Sequence, residues 1–251
     1  FTPPSGLPFP SSLRRRWSQN PDLLTKYTTM KKTILTLSLV AGSMSLSHAV
    51  GIFAPGDPTV GGQIIGADFV EGVVGLTQPG NNWPAGEVPG FIIDGAGQKY
   101  LNFGKEDTGV VITPSGGASI ATSITLWTAN DAEPRDPGSY SVYGTNSVLG
   151  AAPFVVADFT LIATGGLALP ISRNGGGADP LLPANSQTVA FANAASFTSY
   201  MVVFPTLKDS GLANSMQIAE IQLDGSFTIP EPGSSALLAL GLGVVFFRRK
   251  R

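Results

Sequence analysis

The chain has 251 residues, 43% of them hydrophobic and 13% charged, with no cysteine and one histidine, His48. Between residues 50 and 231 the only bases are Lys99, Lys105, Arg135, Arg173 and Lys208, against 16 carboxylates, a balance near −11 compared with −2 for the whole chain. Such a surface repels nucleic acid and favours divalent cations, and the lack of thiols removes disulfides and Cys-dependent chemistry.

Residues 1–29 come first, with Pro-rich sequence at 1–10 and the charge run Arg14-Arg15-Arg16. They read as upstream or spurious extension, with translation expected to start at Met30. Met30-Lys31-Lys32, an apolar run over 33–41 and Ser47-His48-Ala49 follow. A basic start, a short apolar stretch and a small-x-small site make a signal peptide over 30–49, forming a signal helix and cut by signal peptidase after Ala49. His48 leaves with it. The mature chain then has neither His nor Cys, which excludes Ser-His-Asp and Cys-His catalysis and His-ligated zinc.

Residues 50–228 form one predicted domain. Short β-branched runs alternate with Gly, Pro, Asn and Asp and predict strands at 62–69, 90–93, 109–113, 120–129, 139–143, 154–163, 188–192, 199–204 and 216–223. Nine short strands and almost no helix signal make an all-β sandwich of jelly-roll type. In the run 120–128, Ile120, Ile124 and Leu126 are expected on one face and Ser123, Thr125 and Trp127 on the other. Trp127 is then either a solvent-side aromatic or a ring packed under a loop. No phosphate cradle is present, because Gly95-Ala96-Gly97 leads into Gln98-Lys99-Tyr100 and not into a helix.

Residues 229–251 contain Pro230-Glu231-Pro232, an apolar run over 236–247 and the terminal cations Arg248, Arg249, Lys250 and Arg251. A helix over 233–247 would span about 22 Å, short for a hydrocarbon core of about 30 Å. The cations would stay cytoplasmic, and the two prolines keep the preceding backbone extended. This tail resembles the PEP-CTERM sorting signal. That resemblance implies a Gram-negative exported protein, held transiently in the inner membrane by a C-terminal transmembrane helix. An exosortase would then release it to the cell envelope, cell surface or extracellular matrix.

The run 128–146, with Glu133-Pro134-Arg135-Asp136-Pro137 and Gly144-Thr145-Asn146, resembles the discoidin-like or galactose-binding-like domain. Ile93-Asp94-Gly95 with Lys99-Tyr100-Leu101-Asn102-Phe103, residues 200–204 and Met216-Gln217-Ile218-Ala219-Glu220 fit the same pattern in order. The resemblance spans about 86–224. It implies a Ca²⁺ held in part by Asp94 and Glu220, with backbone carbonyls completing the six to eight oxygens calcium takes. The same residues also fit an Asp turn and a Glu paired to backbone N–H groups or to Arg135. Glu220 is expected on the apolar strand face of Met216 and Ile218. Arg135 and Asp136 are expected to pair within their loop.

No catalytic residue is assigned. Glu106-Asp107 and Asp131, Glu133 and Asp136 lie on loops, with no spacing that fixes an acid opposite a base. The expected function is non-catalytic: an exported module associated with a carbohydrate or other polymer such as an extracellular polysaccharide, with Trp127 as the candidate ligand platform. A purely structural surface protein and a carboxylate-dependent polysaccharide hydrolase are the alternatives.

Overall fold

The computed structural model describes residues 49–75 and 82–228. The upstream segment, the signal helix, the Pro230-Glu231-Pro232 motif, the terminal helix and the cations 248–251 lie outside the described residues. Ala49 is exposed at the start of the described chain, with no regular structure. Among the described residues no helix is long and apolar enough to cross a membrane.

Among the described residues thirteen strands form. They are β1 (Val50–Gly51), β2 (Thr59–Ile65), β3 (Asp68–Glu71), β4 (Tyr100–Asn102), β5 (Thr108–Ile112), β6 (Ser119–Trp127) and β7 (Ser139–Thr145). Then come β8 (Phe154–Val155), β9 (Thr160–Gly166), β10 (Ser186–Ala190), β11 (Ser199–Phe204), β12 (Met216–Ile218) and β13 (Glu220–Phe227). A 4-stranded sheet has the order β1-β13-β6-β10, a 7-stranded sheet the order β8-β3-β2-β5-β11-β7-β9, and β12 pairs with β4. The two large sheets face each other. Ala121, Ile124, Leu126, Ile221 and Leu223 of the first meet Val110, Ile112, Tyr140, Val142, Tyr200 and Phe204 of the second in one buried cluster. The expected all-β sandwich is what forms.

Four expected strands are corrected. The run 62–69 is broken at Gly66, whose φ of +66° turns β2 into β3, a conformation that glycine takes without steric cost. Residues 90–93 belong to a 3-10 turn, Pro89–Ile93, with Pro89 opening it. The run 154–163 splits into β8, a turn at Val156–Asp158 and β9. The run 216–223 breaks at Ala219, whose N–H bonds Trp127 O at 3.1 Å. β12 thereby belongs to one small sheet and β13 to the large one.

The face of β6 is also adjusted. Asp224 pairs with Ser123 and Gly225 with Ala121, so Thr122 is the extra residue of a β-bulge. The bulge turns Ala121 into the core in place of Ile120, while Ile124 and Leu126 stay inside.

β11 is buried along its whole length. Tyr200, Val202 and Phe204 face the main core, while Met201 and Val203 join Phe69, Val111, Phe154 and Phe159 in a second cluster. Residues 149–159 cover that outer face, which is why the Tyr-Met-Val-Val-Phe run shows no polar alternation. Among the described residues the strand pairings, both clusters and the ion pairs described below lie within 50–228. This segment carries a core of its own, which is what independent folding requires.

Both ends of the domain sit together. Val50 pairs with Gly225 and Thr228 N–H bonds Ala118 O. The opposite end gathers the loops 94–99, 128–138, 172–185 and 205–215. Gly97 N–H bonds Asp179 O at 2.7 Å, Thr128 N–H bonds Asn185 O at 2.9 Å, and Pro137 bridges Leu207.

Candidate functional site

At the loop end of the four-stranded sheet, Trp127 lies between Glu220 on β13 and Ser186 on β10, in direct register with both. Directly opposed residues share a face, and their neighbours Leu126 and Ile221 are core, so Trp127 and Glu220 belong to the outer face. The break at Ala219 puts Glu220 there, correcting its expected place beside Met216 and Ile218. Glu220 is nevertheless only 5% exposed, because the turn after Ile93 folds over it. That turn needs Gly95 at φ +75°, and the Gly95 N–H then donates to Glu220 Oε2 at 3.2 Å.

Asp94 stands beside Glu220. Its Oδ1 accepts the Ala96 N–H at 2.8 Å, while its Oδ2 is buried without a hydrogen-bond partner. Burial raises the Asp94 pKa, opposed by the Ala96 N–H. Burial, opposed by the Gly95 N–H and reinforced by the Asp94 charge, pushes Glu220 up to about 8. The Trp127 indole N–H is likewise buried and unpartnered. The fold therefore brings Asp94, Glu220 and Trp127 together. Two close carboxylates with one orphaned oxygen fit a cation. Among the described residues no group of three or more His, Cys, Asp or Glu is placed around a metal, so Asp94 and Glu220 would supply the side-chain oxygens and backbone carbonyls or water the rest.

The loop 131–136 is organised by cations reaching it from outside. Lys99 Nζ lies 2.9 Å from Asp131 and 3.3 Å from Glu87, and Lys208 Nζ 2.6 Å from Glu133. Arg173 donates to both carboxylate oxygens of Asp136, Nη1 to Oδ1 at 2.8 Å and Nη2 to Oδ2 at 2.7 Å. Arg135 pairs with Asp131 at 3.6 Å, not with Asp136. The intraloop pair expected from sequence is replaced because Asp136 turns inward, fully buried, toward Arg173 on the glycine-rich loop. Burial raises the Asp136 pKa and Arg173 opposes it; the Lys208 hydrogen bond lowers that of Glu133. Sequence reasoning missed Arg173 and Lys208. Their only signal was scarcity, as two of five bases in an acidic domain.

A shallow cleft of about 220 Å³ lies between Glu133, Pro134, Lys208 and Asp209. It has no aromatic wall. Of the carboxylates weighed for hydrolysis, Asp131, Glu133 and Asp136 are each ion-paired.

Comparison with known proteins adds three findings. Residues 228–251 match the PEP-CTERM protein-sorting motif. No curated protein matches the chain in sequence. Among solved structures the domain is similar to a family 32 carbohydrate-binding module of Clostridium perfringens NanJ in complex with galactose. The identity is 15%, the TM-score 0.42, and the match covers 70% of this chain and 99% of that one. It is also similar to the family 32 module of Streptococcus pneumoniae EndoD (8% identity, TM-score 0.45, 70% of this chain and 100% of that one). A chitosan-binding module from a Paenibacillus chitosanase/glucanase gives 11% identity and a TM-score of 0.42, over 69% of this chain and 98% of that one. The fold itself rests on the sheet order and core described above. The tail match marks the chain as an exported, surface-sorted protein.

Proposed function

We propose that the chain is an exported, non-catalytic surface module that binds an extracellular polysaccharide, with Trp127 as a ring platform and a Ca²⁺ on Asp94 and Glu220 fixing the loop beside it. The observation that carries this reading is the register of Trp127 with Glu220 at the loop end, away from the end where Thr228 leads into the sorting motif. Trp127 is partly exposed, which leaves ring surface to stack on the apolar face of a sugar, while its N–H stays inside the protein. The bound cation would act structurally, neutralising two buried carboxylates. The pairing of Asp131, Glu133 and Asp136 supports a binding role over a hydrolytic one.

Affinity electrophoresis of residues 50–228 in gels of neutral and acidic polysaccharides tests the reading. Trp127→Ala should weaken retardation at least tenfold, roughly 1.4 kcal/mol, without changing the fold by circular dichroism. Retardation that survives this substitution moves the site elsewhere. Reducing-sugar release abolished by Glu133→Gln would establish a hydrolase.

The sorting half is tested in cells. Exosortase is proposed to read Pro230-Glu231-Pro232, so Glu231→Ala should leave uncleaved chain in the inner membrane. Normal processing of that variant would reduce the tail to a plain anchor.

A further inference from the structure

Charge is distributed very unevenly over this domain. From Thr160 to Leu207 the only ionisable acids and bases, tyrosine aside, are Arg173 and Asp179, and Arg173 is bound to buried Asp136. The remainder of the domain holds nearly all the excess negative charge. The uncharged stretch contains both long sheet edges: β9 ends the seven-stranded sheet and β10 ends the four-stranded one. At the opposite edges β8 and β1 are two residues each, too short to template a partner.

The two long edges differ. β9 carries an irregularity between its pairs Val142↔Ala163 and Tyr143↔Leu161, leaving Ile162 extra, and such a bulge spoils an edge for further pairing. β10 keeps unbroken register with β6 from Ser186↔Trp127 to Ala190↔Ser123. Thr128 N–H to Asn185 O and Phe191 N–H to Thr122 O extend it at both ends. These bonds fix the alternation: Asn185, Gln187, Val189 and Phe191 bond toward β6, and Thr188 and Ala190 turn N–H and C=O outward. Both are exposed. The segment 186–192 contains no Lys, Pro or charge, the usual guards of an open edge. Leu182, 49% exposed, stands close before the strand.

We propose that two copies of this chain pair antiparallel through β10, joining their four-stranded sheets across a two-fold axis near Thr188. Electrostatics selects the occupant. A second copy bears the same excess of carboxylates, and like surfaces repel except where both are uncharged, which is where the open edge lies. An antiparallel edge is self-complementary, so a two-fold closes without growing into a fibre.

Sedimentation equilibrium of residues 50–228 over about 5–300 µM tests this by mass action. The wild type should show a dimer. Thr188→Pro removes an outward N–H and keeps the backbone ladder to β6, though it breaks the Thr188–Thr125 hydroxyl bond; Ala190→Lys adds a guarding cation on an exposed side chain. Each should weaken dimerisation at least tenfold, Ala190→Lys with the thermal melt unchanged. Should Thr188→Pro disturb the melt, Ala190→Lys decides alone. A wild type that stays monomeric across the range, whether or not it binds glycan or peptide there, overturns the proposal. So does a dimer that survives both substitutions.

Discussion

Arg173→Met should lower the unfolding free energy of residues 50–228 by about 3–5 kcal/mol, the cost of leaving one member of a buried pair uncompensated. Asp136 is 0% exposed, and both its oxygens accept from the guanidinium. Arg173 also donates to Pro170 O at 2.9 Å and Ile171 O at 2.9 Å, so its loss loosens the loop as well. The orphaned carboxylate can escape only by taking up a proton. Burial already raises its pKa, so the penalty should shrink as the pH falls. Arg173→Met combined with Asp136→Leu should recover most of the loss. The control is Lys208→Met. Its partner Glu133 lies on the surface, and an exposed pair contributes about 0–1 kcal/mol. Urea titration of the four proteins decides it: an Arg173→Met loss no larger than that of Lys208→Met would mean that the pair is not what holds the loop.

The strands most legible in the sequence are those whose β-branched runs end at a turn residue. β5, β6, β7 and β11 start and stop within two residues of their expected bounds. The misread runs lack that punctuation. Between Phe154 and Ala163 only Asp158 hints at the turn at Val156–Asp158, which exists because the chain passes from β8 at one edge of the seven-stranded sheet to β9 at the other. Phe91-Ile92-Ile93 reads equally well as strand or as buried turn, and Pro89 was the one cue for the turn. Gly66 was a usable signal inside the run 62–69. Asp94, Glu220 and Trp127 were each visible by residue type and parity. Their convergence depends on the register of β6 against β13 and on a break at Ala219, which no local pattern encodes. The Arg173–Asp136 pair spans 37 residues between an acidic loop and a glycine-rich one, while the nearer Arg135 offered a plausible wrong partner.

In chelator, the stability of residues 50–228 should fall as pH rises between 4.5 and about 8, and Glu220→Gln should flatten that fall. The Glu220 carboxyl has a pKa near 4.5 in the unfolded chain and about 8 in the fold. Below 4.5 both states hold the proton and stability is greatest. Through the window the unfolded chain has released it while the fold keeps it, so each pH unit favours unfolding further. Above 8 the loss is complete, on the order of 5 kcal/mol. Asp94 is shifted in the same direction and adds to the slope. A cation bound by both carboxylates opposes the trend, because binding requires their ionised form. Ca²⁺ at about 100 times its Kd adds roughly 2.7 kcal/mol, so the gap between Ca²⁺ and chelator melts should widen from pH 6 to pH 8.5 and close in Asp94→Ala. Equal slopes for wild type and Glu220→Gln in chelator would show that Glu220 does not stay protonated in the fold. Melts that coincide with and without Ca²⁺ at pH 8.5 would dispose of the cation while leaving the proton result intact.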